Sequence, residues 1–154
     1  MGDSGSRTRK RVLIADDSRS NRELLRVHLE RMGDFNVVEA IDGLEAIRCA
    51  KRRRPDVILM DVHMPRMNGY EATRELRAST NGVASVPVIA ITAGCFSGEI
   101  ERCSRAGASD YIASPLTNLE LLRSKVVFWS ALGHDESVCP PTVPSPTTGG
   151  NGRA

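Results

Sequence analysis

This 154-residue chain has no apolar run long enough to cross a bilayer. Its opening segment, MGDSGSRTRKR, lacks the apolar stretch of a secretory signal. Both absences point to a cytoplasmic protein with no membrane partner. Cysteines are few: Cys49, Cys95, Cys103 and Cys139 include no CxxC pair and have no histidine cluster beside them. That spacing excludes the common zinc and dithiol redox sites and leaves reduced, structural thiols. A strong charge bias is missing too. The net charge is +2, and the first eleven residues hold +3 of it, from Arg7, Arg9, Lys10 and Arg11 against Asp3. The remainder is close to neutral, so no general nucleic-acid surface is expected.

With 40% hydrophobic and 26% charged residues the chain suits one globular domain. Residues 1–9 read as a flexible basic leader and residues 10–132 as the domain. Residues 133–154 hold Pro140, Pro141, Pro144, Pro146 and the run TTGGNGRA, and read as a disordered tail or linker.

Inside the domain, short apolar runs alternate with helical periodicity. VLIA (12–15), FNVVEA (35–40), VILM (57–60), VPVIAI (86–91) and DYIA (110–113) predict five strands. Leu24, Leu25, His28, Leu29 and Met32 recur at helical spacing, as do Leu44, Ile47 and Cys49 to Ala50, and Leu119, Leu122, Val126 and Trp129. Gly33, Gly82, Gly107 and Gly133 stand where helices should stop. The pattern is an α/β chain, (βα)5, expected as a doubly wound five-stranded parallel sheet of order 2-1-3-4-5.

Such sheets bind ligands beyond the carboxyl ends of their strands, near the switch between strands 1 and 3. Asp16 and Asp17 follow the first strand, Asp61 follows the third and Thr92 the fourth. Three carboxylates at one rim repel one another, which calls for raised pKa values or a hard cation. Mg²⁺ is the natural candidate, since it takes oxygen ligands and leaves positions for water or phosphate. Asp61 could then act as a nucleophile on phosphorus.

The segments ADDS (15–18), DVHMPRMNGYEATRELR (61–77), IAITA (89–93) and GASDYIASP (107–115) resemble, in order, the motifs of receiver (response-regulator) domains of two-component signalling, above all those of hybrid histidine kinases. The resemblance covers about residues 10–132 and implies a flavodoxin-like fold. It implies that Asp61 accepts phosphate from a histidine kinase or histidine phosphotransfer protein, and that Asp16, Asp17, Asp61 and the backbone carbonyl of His63 hold Mg²⁺. Thr92 would be the switch hydroxyl and Tyr111 the switch aromatic. A downstream protein would read the face of the fourth helix, fifth strand and fifth helix. Such a chain is a phosphorelay component and not a turnover enzyme, although family members catalyse their own aspartyl phosphorylation and dephosphorylation.

One position departs from the family pattern. A lysine is expected before the proline after the fifth strand, and this chain has Ser114 before Pro115. The family often has a cis bond at that proline, which would preserve the loop. A unit charge ~4 Å from a phosphoryl group is worth roughly 4 kcal/mol at an effective dielectric of ~20. A second reading follows from its loss: an atypical receiver that binds protein without phosphorylation. If another cation stands in, Arg66 and Arg19 on neighbouring loops are the first candidates. A haloacid-dehalogenase-like phosphatase would need a DxD motif after the first strand, and a flavodoxin a Ser/Thr/Gly-rich loop there; ADDS is neither.

Overall fold

The structure is a computed structural model that describes residues 9–80, 82–94 and 97–132. The tail from Gly133, the leader before Arg9, Cys95 and Cys139 lie outside the described residues.

Five strands alternate with five helices: β1 (Lys10–Ala15), α1 (Arg19–Arg31), β2 (Phe35–Ala40), α2 (Gly43–Arg53), β3 (Val57–Asp61), α3 (Gly69–Arg77), β4 (Val88–Thr92), α4 (Ser97–Ala106), β5 (Asp110–Ala113) and α5 (Leu119–Ala131). The strands pair in parallel in the order β2-β1-β3-β4-β5, which is the expected topology.

The central strands β3 and β4 read as nearly unbroken apolar runs because helices cover both faces of the sheet. Their side chains alternate between two cores. Val12, Ile14, Val57, Leu59, Ile89 and Ile91 pack with Leu25 and Leu29 of α1 and Leu122, Val126 and Trp129 of α5. Leu13, Ala15, Ile58, Met60 and Val88 face the other way, onto Ala46 and Ala50 of α2 and Ala72 and Leu76 of α3. Each fully buried Leu, Ile or Val stabilises the fold by about 1.5–3 kcal/mol. The alanines on α2 and α3 let those helices lie close to the sheet. A third, smaller cluster joins Val62, Tyr70 and Ala90 to Cys103 and Ala106 of α4.

Side chains start most helices where the sequence changes from apolar strand to polar loop. Ser18, Asp42, Asn68 and Asn118 each accept a backbone N–H of the following first turn. Asn68 and Glu71 complete a reciprocal capping box at α3.

Four expectations need correction. Leu24 (47% exposed) and Leu44 (39%) are not core residues, because the buried stripes run through Leu25 and Leu29 on α1, about 100° round from Leu24, and through Ala46 and Ala50 on α2, near the face opposite Leu44. Gly82 does not end α3, which stops at Arg77; it adopts φ +85° at the entry to a 3-10 turn, Val83–Ser85. The fourth strand starts at Val88 and not at Val86, because Val86 closes that 3-10 turn and Pro87 has no N–H to pair. The first strand begins at Lys10, which pairs with Phe35, and not at Val12.

Candidate functional site: an acidic rim at the ends of β1 and β3

Asp16 and Asp17 leave the end of β1, and Asp61 is the last residue of the neighbouring β3. Asp16 is 2% exposed and fixed on all sides. Its backbone N–H donates to Ala40 O (3.1 Å), and its carboxylate accepts the Ser18 N–H (2.8 Å) and the Asn21 side-chain amide (3.3 Å). Asp17 is exposed and Asp61 half-buried. One oxygen from each of the three carboxylates lies within 4.8 Å of the others.

The loop that carries Asp61 folds back tightly. Gly69 donates its N–H to Val62 O (3.1 Å), and a Cβ at Gly69 would lie 2.3 Å from Asp61 O and 2.8 Å from Val62 Cα. Only glycine permits that approach. The His63 N–H donates to Asp61 Oδ1 (3.1 Å). The Asp61 pKa is nevertheless pushed up to about 7, first by burial and then by the charges of Asp16 and Asp17 and a hydrogen bond shared with Asp16. The His63 N–H lowers it only in part.

Strand pairing carries the remaining sequence-predicted residues to the same edge. Val62 N–H donates to Ile91 O (3.1 Å), so Thr92 lies one residue beyond the level of Asp61. Thr92 is fully buried. The Ser114 N–H donates to Thr92 O (2.7 Å), and the Ser114–Pro115 peptide is cis. Tyr111 pairs with Ala90 and packs, half-buried, against the cluster of Val62, Tyr70, Cys103 and Ala106. The His63 side chain is exposed, its Nε2 3.7 Å from Glu99 Oε1. The Arg66 guanidinium pairs with Asp42 at the start of α2 (2.8 Å). Arg19 is exposed on the first turn of α1.

Three groups escaped the sequence reading. Glu99 on α4 accepts from Tyr70 and Thr92. Asp110 and Lys125 form a buried ion pair (2.6 Å) across β5 and α5. The pairs are 7 to 29 residues apart, and only an acidic residue in the first turn of a helix could have drawn attention to Glu99. Cys49 and Cys103 are free, and burial first of all raises the pKa of both thiols, as suits structural cysteines.

The profile described as the response regulator receiver domain matches residues 12–126. The chain belongs to that receiver family. It is 36% identical over 108 residues to the polar-differentiation response regulator DivK of Brucella anthropi, covering 70% of this chain and 86% of DivK. It is 33% identical over 124 residues to the CAI-1 autoinducer sensor kinase/phosphatase CqsS of Vibrio cholerae, covering 80% of this chain but only 18% of CqsS. Among solved structures, the receiver domain of the sensor histidine kinase PA1611 of Pseudomonas aeruginosa superposes with a TM-score of 0.71 at 38% identity, over 80% of this chain and 98% of that one. That structure has a magnesium ion coordinated in its active-site cleft.

Receiver domains are signalling modules and not turnover enzymes; they act with histidine kinases, phosphotransfer proteins or downstream proteins. In this receiver, an all-oxygen donor set with one carboxylate of raised proton affinity fits a hard divalent cation. Among the described residues, no helix is long and apolar enough to cross a membrane.

Proposed function

We propose that this receiver takes a phosphoryl group onto Asp61 from a phosphohistidine donor, a histidine kinase or phosphotransfer protein, in a cytoplasmic two-component phosphorelay. The observation that carries the reading is the convergence of Asp16, Asp17 and a half-buried Asp61 at one strand-end rim, with the Asp61 pKa at about 7. In its ionised form, an Asp61 carboxylate oxygen attacks phosphorus, and the histidine nitrogen leaves. Asp16, Asp17, Asp61 and the His63 carbonyl would hold Mg²⁺, which when bound offsets the charge of the carboxylates and the phosphoryl oxygens.

The residues around the acceptor then divide the work. The His63 N–H keeps one Asp61 oxygen oriented. Thr92 would turn its hydroxyl to a phosphoryl oxygen, Tyr111 would follow inward, and the face of α4, β5 and α5 would change for a downstream protein. Ser114, at the position where the family pattern has lysine, supplies a neutral group in place of a charge. That favours a weakly driven switch, because a neutral hydrogen bond is roughly half as strong as a charge-assisted one.

The test is incubation of the full chain with acetyl phosphate, with and without Mg²⁺. The mass should rise by one phosphoryl group only when Mg²⁺ is present. The second reading, a receiver that binds protein without phosphate, is favoured by Ser114 and by the engagement of Arg66 with Asp42. It requires that neither acetyl phosphate nor beryllofluoride changes the chain in Mg²⁺.

A further inference from the structure

Glu99, in the first turn of α4, gathers four side chains, from the loop after β3, from α3, from β4 and from α4 itself. The Tyr70 hydroxyl, in a residue 3% exposed, lies 2.8 and 2.9 Å from its two carboxylate oxygens. The Thr92 hydroxyl lies 3.4 Å from Glu99 Oε1 and 3.1 Å from Gly94 O. His63 Nε2 is 3.7 Å away, and Arg102 Nη1 is 3.8 Å away with its guanidinium 4.4 Å above the Tyr70 ring. Burial and, after it, Glu99 raise the Tyr70 pKa, so the phenol stays a donor to the carboxylate.

We propose that Glu99 is a positioning residue of the receiver: its carboxylate holds the Thr92 hydroxyl toward α4 and competes for it with a phosphoryl group on Asp61. The inference rests on the phosphoacceptor reading of Asp61. A threonine hydroxyl has one proton. Its two acceptors in this structure, Glu99 and Gly94 O, both lie on the α4 side of the strand end. Donation to a phosphoryl oxygen therefore withdraws a proton that Glu99 Oε1 (3.4 Å) shares with Gly94 O (3.1 Å). It also brings about two negative charges toward a carboxylate already 19% exposed. Both effects oppose phosphorylation and push on the first turn of α4. The same carboxylate that restrains the switch thus connects it to the proposed partner face, through Tyr70 and Arg102.

The test measures beryllofluoride affinity by NMR in saturating Mg²⁺ for the wild-type chain, Glu99→Gln, Thr92→Val and the double variant. Glu99→Gln should bind beryllofluoride about threefold to tenfold more tightly, the effect of one competing hydrogen bond. The Thr92 and Tyr70 resonances should shift toward their beryllofluoride-bound positions even before the probe is added. In the Thr92→Val background most of the gain should vanish, since the competition requires the hydroxyl. Glu99→Asp, too short to reach both Tyr70 and Thr92, should tighten binding in the same sense and carries the test if the glutamine variant does not fold. Equal affinities of Glu99→Gln and wild type would overturn this role while leaving the phosphoacceptor reading intact. An undiminished gain in the Thr92→Val background would overturn it as well, showing that Glu99 acts by charge alone. No response in any variant would overturn the phosphoacceptor reading and this one together.

Discussion

Two groups of acidic side chains sit on the same sheet and meet opposite fates. On β5, Asp110 is buried and fully answered: Lys125 Nζ lies 2.6 Å from Oδ1 and Trp129 Nε1 donates to Oδ2 at 3.0 Å. The Tyr111 N–H adds a third donor at 2.8 Å, and Lys125 also donates to Tyr111 O (2.9 Å). At the rim of β1 and β3, three carboxylates share one small volume, and the Asp61 pKa is driven up to about 7. The chain places a buried lysine where it ties α5 to the sheet, and Ser114 at the end of β5, where its N–H donates to Thr92 O. A buried charge that is fully paired holds an architecture together. Carboxylates crowded at one strand end remain ready for a cation and a phosphoryl group.

The largest expected effect falls on the function of the rim. Asp61→Asn should abolish phosphate incorporation from acetyl phosphate, while thermal unfolding shows the fold intact or slightly more stable, because one repelling charge is gone. A phosphoprotein persisting in that variant would mean another acceptor.

Breaking the contrast from the other side should cost stability. Lys125→Met leaves Asp110 buried without its cation and should lower unfolding stability by about 3–5 kcal/mol, measured in denaturant. A loss under about 1 kcal/mol would mean that Asp110 reaches water or another donor.

The two regions also differ in what the sequence reveals. The five strands were legible because the central ones, β3 and β4, are buried on both faces and read as apolar runs, while the others keep short apolar, often β-branched stretches. Asp16, Asp17, Asp61 and Thr92 were legible because parallel strands collect whatever follows them at one edge. Lys125, Asp110 and Glu99 were not. Their roles depend on which face of α5 or α4 meets β5 and β4, and helical spacing alone does not fix that rotation to one residue. The exposure of Leu24 and Leu44 reflects the same ambiguity.

Next in size is the pH and metal dependence of the rim. The Asp61 pKa is raised from its ordinary 3.8 to about 7 in the folded chain. Between those values the folded state holds more protons than the unfolded one, so this group's contribution to stability falls as pH rises through that window and is level above it. Mg²⁺ competes with that proton. Added Mg²⁺ should therefore raise the Tm clearly at pH 8 and much less at pH 5, and Asp17→Asn should weaken the response at both. An unchanged Mg²⁺ titration in Asp17→Asn would place the metal elsewhere.

The smallest expected effect comes from supplying the rim with a cation like the one Asp110 already has. Ser114→Lys should tighten beryllofluoride binding by about fivefold, the gain of a charged over a neutral hydrogen bond. NMR should also show larger shifts around Tyr111. A wild-type chain that responds as fully as the lysine variant would mean that another cation, with exposed Arg19 as first candidate, already serves the site.

The identity of the phosphoacceptor, here proposed as Asp61 at the end of β3, can be read chemically. Acyl phosphates are reduced by borohydride, so treatment of the acetyl phosphate-labelled chain in Mg²⁺, followed by peptide mass spectrometry, marks the acceptor directly. A single reduced residue, Asp61, is expected, absent when Mg²⁺ is withheld. Label confined to Asp16, Asp17 or any residue off the rim, or no label at all in Mg²⁺, would contradict it.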